Sequence, residues 1–181
     1  MLIDFRRKPT TVPDLFIEGV KVERVCENKY LGTIIDNKSN FDVNVSHVNK
    51  KCQSRIFCLQ KLRNLGINGK ILQGFYKCFI ESVLTFSNIC WFGNLSVKNK
   101  NVLNRIVNVC SKVVGVKQEG LNELYERRVM RKAQVILSDK SHCLSKYYEL
   151  LPSGKRYRSQ RFKNVRSKNS FIHKSIFLLN G

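Results

Sequence analysis

The sequence predicts a mainly α fold: a small N-terminal β-hairpin, then a bundle of about four amphipathic helices, then a basic, partly disordered C-terminal tail. Three observations predict it. Up to residue 42 the apolar residues fall in short runs bounded by turn residues, and from residue 43 to 139 their spacing becomes helical. Residues 150–181 then hold eight basic groups and no acid. The chain accordingly divides into 1–42, 43–139 and 140–181. Its 181 residues are 43% apolar with only three prolines, enough to bury a core over much of the length.

The first segment reads as small β-structure. Leu2, Ile3 and Phe5 form a short apolar run, and Leu15, Phe16 and Ile17 a second. Glu18-Gly19 supplies a turn before Val20, Val22 and Val25, and a further strand is expected over Tyr30 to Ile35. Strands this short cannot bury a core of their own and must lean on the helices. The first helix begins near Val45, carries Val48, Cys52, Ile56, Leu59 and Leu62 on one stripe, and ends near Gly66. The second spans Lys70 to Phe86, with Ile71, Phe75, Phe79, Val83 and Phe86 as its apolar face and a breaker over Asn88 to Gly93. Ser96 is the expected N-cap of a third helix, Val97 to Val114, which buries Leu103, Ile106, Cys110 and Val113 and closes at Gly115. A fourth runs from about Gly120 to Ser138 through Leu121, Leu124 or Tyr125, Val129, Ala133 and Ile136. Beyond the Leu150 to Gly154 breaker, little structure is expected in the absence of a polyanion.

Charge restricts the function classes further. The chain has 33 Lys and Arg against 13 Asp and Glu, a formal net charge of +20. Residues 1–42 are neutral, with seven groups of each sign, whereas residues 43–118 hold twelve basic groups and one acid, Glu81. Such a field points to an acidic partner, and RNA or DNA fits a helical face studded with lysines. The candidate contacts are Lys50, Lys51, Arg55, Lys61, Arg63 and Lys70 on or beside the helices, and Lys155, Arg156, Arg158, Arg161 and Arg166 in the tail, where aromatics interleave.

Other chemistry is poorly served. The acids Asp4, Asp14, Asp36 and Asp42 are isolated, so no two-metal carboxylate cluster is visible. His142-Cys143 lacks a second pair at zinc spacing, so no metal or cofactor is expected. There is no glycine-rich phosphate loop, no nucleophile elbow, and only three scattered histidines. The reading is therefore of a non-enzyme. No apolar run reaches spanning length and no secretory leader is recognisable, so no membrane association is expected. Seven cysteines, an odd number, placed mostly on apolar helical faces, read as reduced and buried thiols of a nuclear or cytoplasmic protein.

Several stretches in a fixed order resemble a known family. Met1 to Lys8, Phe16-Ile-Glu-Gly-Val-Lys-Val-Glu-Arg-Val25 and Lys29-Tyr-Leu-Gly32 resemble the end of the palm in reverse transcriptases of non-LTR retrotransposons, the LINE elements. Lys51-Cys-Gln-Ser-Arg55, Leu59-Gln-Lys-Leu-Arg63, Phe75 to Leu84 and Trp91-Phe-Gly-Asn94 resemble its helical thumb, and Leu151 to Arg158 with Asn169-Ser-Phe171 and Leu178-Leu-Asn180 its basic tail. The resemblance implies a primer-grip hairpin at Lys29, Tyr30, Leu31 and Gly32, which would add these four to the nucleic-acid contacts. The family's catalytic aspartates lie upstream of the part matched, so the resemblance implies a nucleic-acid-holding piece without polymerase activity of its own. Residues 48–84 are also similar to the N-terminal module of the eighth AlkB homologue. The iron ligands and methyl-donor loop of that enzyme have no counterpart here, so its dioxygenase and transferase activities are not implied. A different class, a non-catalytic protein-interaction domain whose charge serves solubility, would fit the same composition.

Overall fold

The computed structural model describes residues 1–5, 12–159 and 164–181. Two separate hairpins come first: β1 (Phe16–Ile17) with β2 (Val20–Lys21), and β3 (Glu27–Tyr30) with β4 (Thr33–Asp36), both antiparallel. Their registers, Ile17↔Val20 and Tyr30↔Thr33, leave two-residue loops. Glu18 and Gly19 have φ of 50° and 79°, and Leu31 and Gly32 have 46° and 87°. Positive φ at both central residues gives the turn twist that matches two-stranded ribbons. Tyr30 to Ile35 is thus not one strand, as expected, but the tip of a hairpin, because Gly32 lets the chain reverse. The Leu2 to Phe5 run is no strand either and joins neither hairpin.

The β1–β2 hairpin is exposed throughout, whereas β4 lies on α1 (Asp42–Asn64). Two polar anchors hold it there. The Ile34 amide donates to Asn44 Oδ1 at 3.0 Å, and the buried Asp36 carboxylate accepts from the amides of Lys38, Asn40 and Phe41. These bonds neutralise donors that would otherwise be stranded at the entry to the helix.

α1 buries the expected stripe of Val48, Cys52, Ile56 and Leu59. The next rod is continuous but mixed: α2 (Gly69–Phe75), a π-helical segment (Tyr76–Glu81) and α3 (Ser82–Leu84). Its buried residues are Leu72, Tyr76, Ile80 and Leu84, while Ile71, Phe79 and Phe86 stay half or more exposed. The expected face was therefore displaced by a neighbouring one. Four apolar residues at a strict four-residue interval drift around an α-helix of 3.6 residues per turn. The wider π turn carries more residues per turn and keeps that stripe on the core.

Asn88 to Gly93 is more than a breaker. α4 (Asn88–Trp91) and a 3₁₀ turn (Phe92–Asn94) plant Trp91 and Phe92 at 1% exposure, their rings edge to face with centroids 6.2 Å apart. α5 (Val97–Val114) packs along α1 and begins and ends as expected: Ser96 Oγ accepts from the Asn99 amide, and Gly115, at φ 82°, donates to the Ser111 carbonyl. α6 (Leu121–Ser138) buries Leu121, Leu124, Tyr125, Val129, Ala133 and Ile136. The Arg128 guanidinium donates to the Thr85 carbonyl at 2.7 Å, tying α6 to the end of the rod.

The last segment departs from the expectation of little structure. Leu150 bridges Tyr157 in a reversal around Gly154, and α7 (Val165–Lys168) leads into α8 (Phe171–Leu179), which lies on α6. Ile176 and Tyr148 join Ala133 and Ile136 in a second small core, where the Tyr148 and Ser175 hydroxyls share a hydrogen bond of 2.7 Å. The absence of acids hid a helix whose apolar residues suffice to dock it. The cysteines also differ from expectation: only Cys52 and Cys110 are buried, their thiols pushed up by burial to about 11 and about 12, while the other five are exposed. Of these five, Cys58, Cys78 and Cys90 lie on helical segments, where periodicity alone does not separate buried from accessible, and Cys26 and Cys143 lie outside the helices. No helix among the described residues is long and apolar enough to cross a membrane.

Candidate nucleic-acid interface

A groove of about 400 Å³ opens between α1, the α2–α3 rod and the tip of the second hairpin. From α1 it takes Asn44, His47, Val48, Lys51 and Arg55, which one helical face brings together at three- and four-residue steps. The rod contributes Cys78, Phe79, Ser82, Val83 and Phe86, and the hairpin contributes Gly32 and Thr33. Three segments distant in sequence thus form one basic and aromatic surface.

Each part has a local cause. Gly32 rests on Phe86: a Cβ at that position would lie 3.0 Å from the ring's Cε1, so glycine is needed both for the turn and for this approach. Leu31 adopts positive φ without glycine's freedom, a conformation that costs about 1–2 kcal/mol, and is left 78% exposed at the tip. The Arg55 guanidinium donates to the Phe79 carbonyl, fixing α1 against the π-helical segment. Phe75 and Phe79 stack with centroids 4.8 Å apart, which presents the half-exposed Phe79 as a supported ring rather than a loose one.

Electrostatically the groove is one-sided. Burial, followed by the charges of Lys51, Lys29 and Lys50, holds the His47 imidazole below its usual range. Lys29 comes from β3 and the other two from α1, so charges of both the hairpin and the helix act on His47. His47 Nε2 is enclosed and has no hydrogen-bond partner in the structure. Glu81, the one carboxylate of residues 43–118, sits on the rod, and burial raises it.

Not every expected contact belongs to this surface. Gly32, Lys51 and Arg55 line it, Lys29 and Lys50 act on His47 from beside it, and exposed Tyr30 and Leu31 adjoin Gly32 at its lip. Lys61 and Arg63 lie near the far end of α1, and Lys70 at the start of α2; Lys61 sits over the exposed Phe57 ring at 5.4 Å. In the tail, Lys155 and Arg156 are exposed on the Leu150 to Tyr157 reversal, and Arg158 lies 3.8 Å from the Glu149 carboxylate. Arg166 is occupied structurally. It donates to the Lys38 carbonyl at 2.8 Å and covers the Phe5 ring at 4.0 Å, linking the two ends of the chain. Arg161 lies outside the described residues.

His47, Phe79 and Phe86 were not among the expected contacts. From the sequence the two phenylalanines read as core, because their spacing is as helical as that of the residues that displace them. The strict four-residue series from Leu72 to Leu84 was the available signal that another face would be buried. Among the described residues no group of three or more His, Cys, Asp or Glu side chains is arranged to hold a metal ion. No family model matches the chain, no curated protein matches its sequence and no solved structure matches its fold.

Proposed function

We propose that the chain binds nucleic acid through this groove without catalysing a reaction, in the manner implied by its resemblance to the palm end and thumb of LINE reverse transcriptases. One observation carries the reading: Lys51 and Arg55 line a groove walled by the half-exposed rings of Phe79 and Phe86, with Lys29 of the hairpin among the charges that act on His47 inside it. Lysine and arginine neutralise phosphates, and aromatic faces accept bases irrespective of sequence. A solvated basic face would need no rings between its charges. The hairpin tip, with Tyr30 and Leu31 exposed, suits contact with a strand lying across the groove, and the cations of the far end of α1 suit the continuation of its backbone.

The test is a binding isotherm for a random-sequence RNA and a DNA duplex as a function of salt. With about six phosphates engaged, affinity is expected to fall on the order of a thousandfold between 50 and 200 mM salt. A flat response would refute the reading, and displacement of the RNA by protein partners would favour the protein-interaction alternative.

A second expectation concerns pH. In the free chain burial, and after it the charges of Lys51, Lys29 and Lys50, disfavour the imidazolium of His47. A bound phosphate backbone offsets their charge and raises the His47 pKa, so complex formation takes up a proton. By linkage, binding tightens as pH falls from 8 towards 6. Fluorescence titrations at both pH values check this, and His47→Gln should remove most of the difference.

A further inference from the structure

A second cavity, of about 320 Å³, lies away from the groove where the 3₁₀ turn, α5, α6 and the start of α8 meet. Its floor is the Phe92 ring. The Tyr125 ring packs on it with centroids 5.2 Å apart, and Lys100 Nζ lies 5.4 Å from the Phe92 centroid. Tyr125 is 5% exposed, yet its enclosed hydroxyl has no hydrogen-bond partner. A buried phenol left unpaired forfeits the bonds it would make in water, so the cavity offers a donor with nothing to accept from it.

The cations point the same way. Lys174 reaches the cavity from α8 with its ammonium 2.6 Å from Glu126 Oε1, and this pair is self-contained. Lys100 pairs with no carboxylate among the described residues. Burial and the nearby Lys174 charge hold its ammonium below the usual lysine range. Two ammonium groups and one carboxylate line the cavity, so once Lys174 is paired with Glu126 the charge of Lys100 is left uncompensated beside the unpartnered phenol. Gly93 lets the Tyr125 hydroxyl and the Asn169 carbonyl approach the backbone at the cavity wall, since a Cβ there would lie 2.6 Å from Tyr125 Oη and 2.8 Å from the Asn169 carbonyl oxygen.

We propose that this cavity is a phosphate-binding site in which the Lys100 ammonium and the Tyr125 hydroxyl donate to phosphate oxygens, while Lys174 stays paired with Glu126 at its edge. The Asn169 carbonyl, the one backbone acceptor at Gly93, accepts the proton of a monohydrogen phosphate. That proton distinguishes phosphate from sulfate, which has none to give at neutral pH. The group is either free phosphate or a phosphate at the end of a nucleic-acid strand. The site shares no residue with the groove, so either assignment can fail without the other.

The experiment is an amide-resonance NMR titration of the full chain with sodium phosphate at constant ionic strength, with sodium sulfate in parallel. Saturable shifts at Gly93, Asn122 and Asn169 are expected with phosphate and much weaker ones with sulfate. Tyr125→Phe deletes only an unpartnered hydroxyl and should fold normally while weakening phosphate binding roughly tenfold. Lys100→Met should abolish saturation, and Lys98→Met, on the exposed side of the same helix, should leave it intact. Shifts that grow linearly, that centre elsewhere, or that survive both Tyr125→Phe and Lys100→Met would overturn the proposal, as would equal affinity for sulfate. Competition by a 5′-phosphorylated oligonucleotide, and not by its 5′-hydroxyl counterpart, assigns the site to strand ends; competition by neither assigns it to free phosphate.

Discussion

Replacing Trp91 by alanine is expected to destabilise the protein by about 3–5 kcal/mol, the usual cost of deleting a buried aromatic. Trp91 is 1% exposed, and α4, where it sits, holds it at the junction of the rod, α6 and the groove wall. Its indole Nε1 donates to the Phe86 carbonyl at 3.0 Å, so the substitution removes packing and also strips the partner from a carbonyl at the end of the rod. The loss is a large fraction of the 5–15 kcal/mol typical of a domain, and for a chain of this length it should lower the melting temperature by roughly 10 °C. Urea denaturation followed by far-UV circular dichroism measures it: the midpoint should fall with little change in slope. Trp91→Phe should recover part of the loss. A midpoint that did not move would mean that the core around α4 repacks without it.

Neutralising Lys29 and Lys51 together is expected to weaken nucleic-acid binding on the order of thirtyfold at 0.15 M salt, the counterion-release contribution of two phosphates. The salt slope should fall by about two at the same time. Both lysines are exposed and neither has an ion-pair partner among the described residues, so Lys29→Gln with Lys51→Gln should leave stability nearly unchanged. Arg55 is unsuitable for this purpose, because its bond to the Phe79 carbonyl couples binding to packing. As a control, Lys155→Gln with Arg156→Gln alters two exposed tail cations outside the groove. If the tail pair weakened binding as much as the groove pair, the polyanion would be held by diffuse charge and the groove would have no special place.

The helices were legible to different degrees, and the differences have physical causes. α5 matched its expected limits because both ends carry residues whose side chain or backbone freedom satisfies the terminal groups locally, Ser96 at one end and Gly115 at the other. α6 was legible because a single apolar stripe left no competing face. The α2–α3 rod had two apolar stripes, and the choice between them depended on what α1 and α5 offered as a partner surface. Consequently Phe79 and Phe86, read as core, became the walls of the groove. Of the expected contacts, those that the groove gathers were recognisable as cations, but nothing in the sequence separated them from Arg166, which instead joins the two ends of the chain.

Local sequence alone was enough for the mainly α class, the caps and limits of the third helix, the limits of the fourth, the Glu18-Gly19 turn, and a positive charge concentrated between residues 43 and 118 and beyond residue 150. These properties are set within a few residues, by periodicity, by backbone freedom and by composition. Tertiary structure alone decided which of two stripes the rod buries, that α8 docks on α6, and that the hairpin tip comes to rest on Phe86. Each of those outcomes compares the burial of one surface with that of another far along the chain, and the free-energy difference exists only once both surfaces are present.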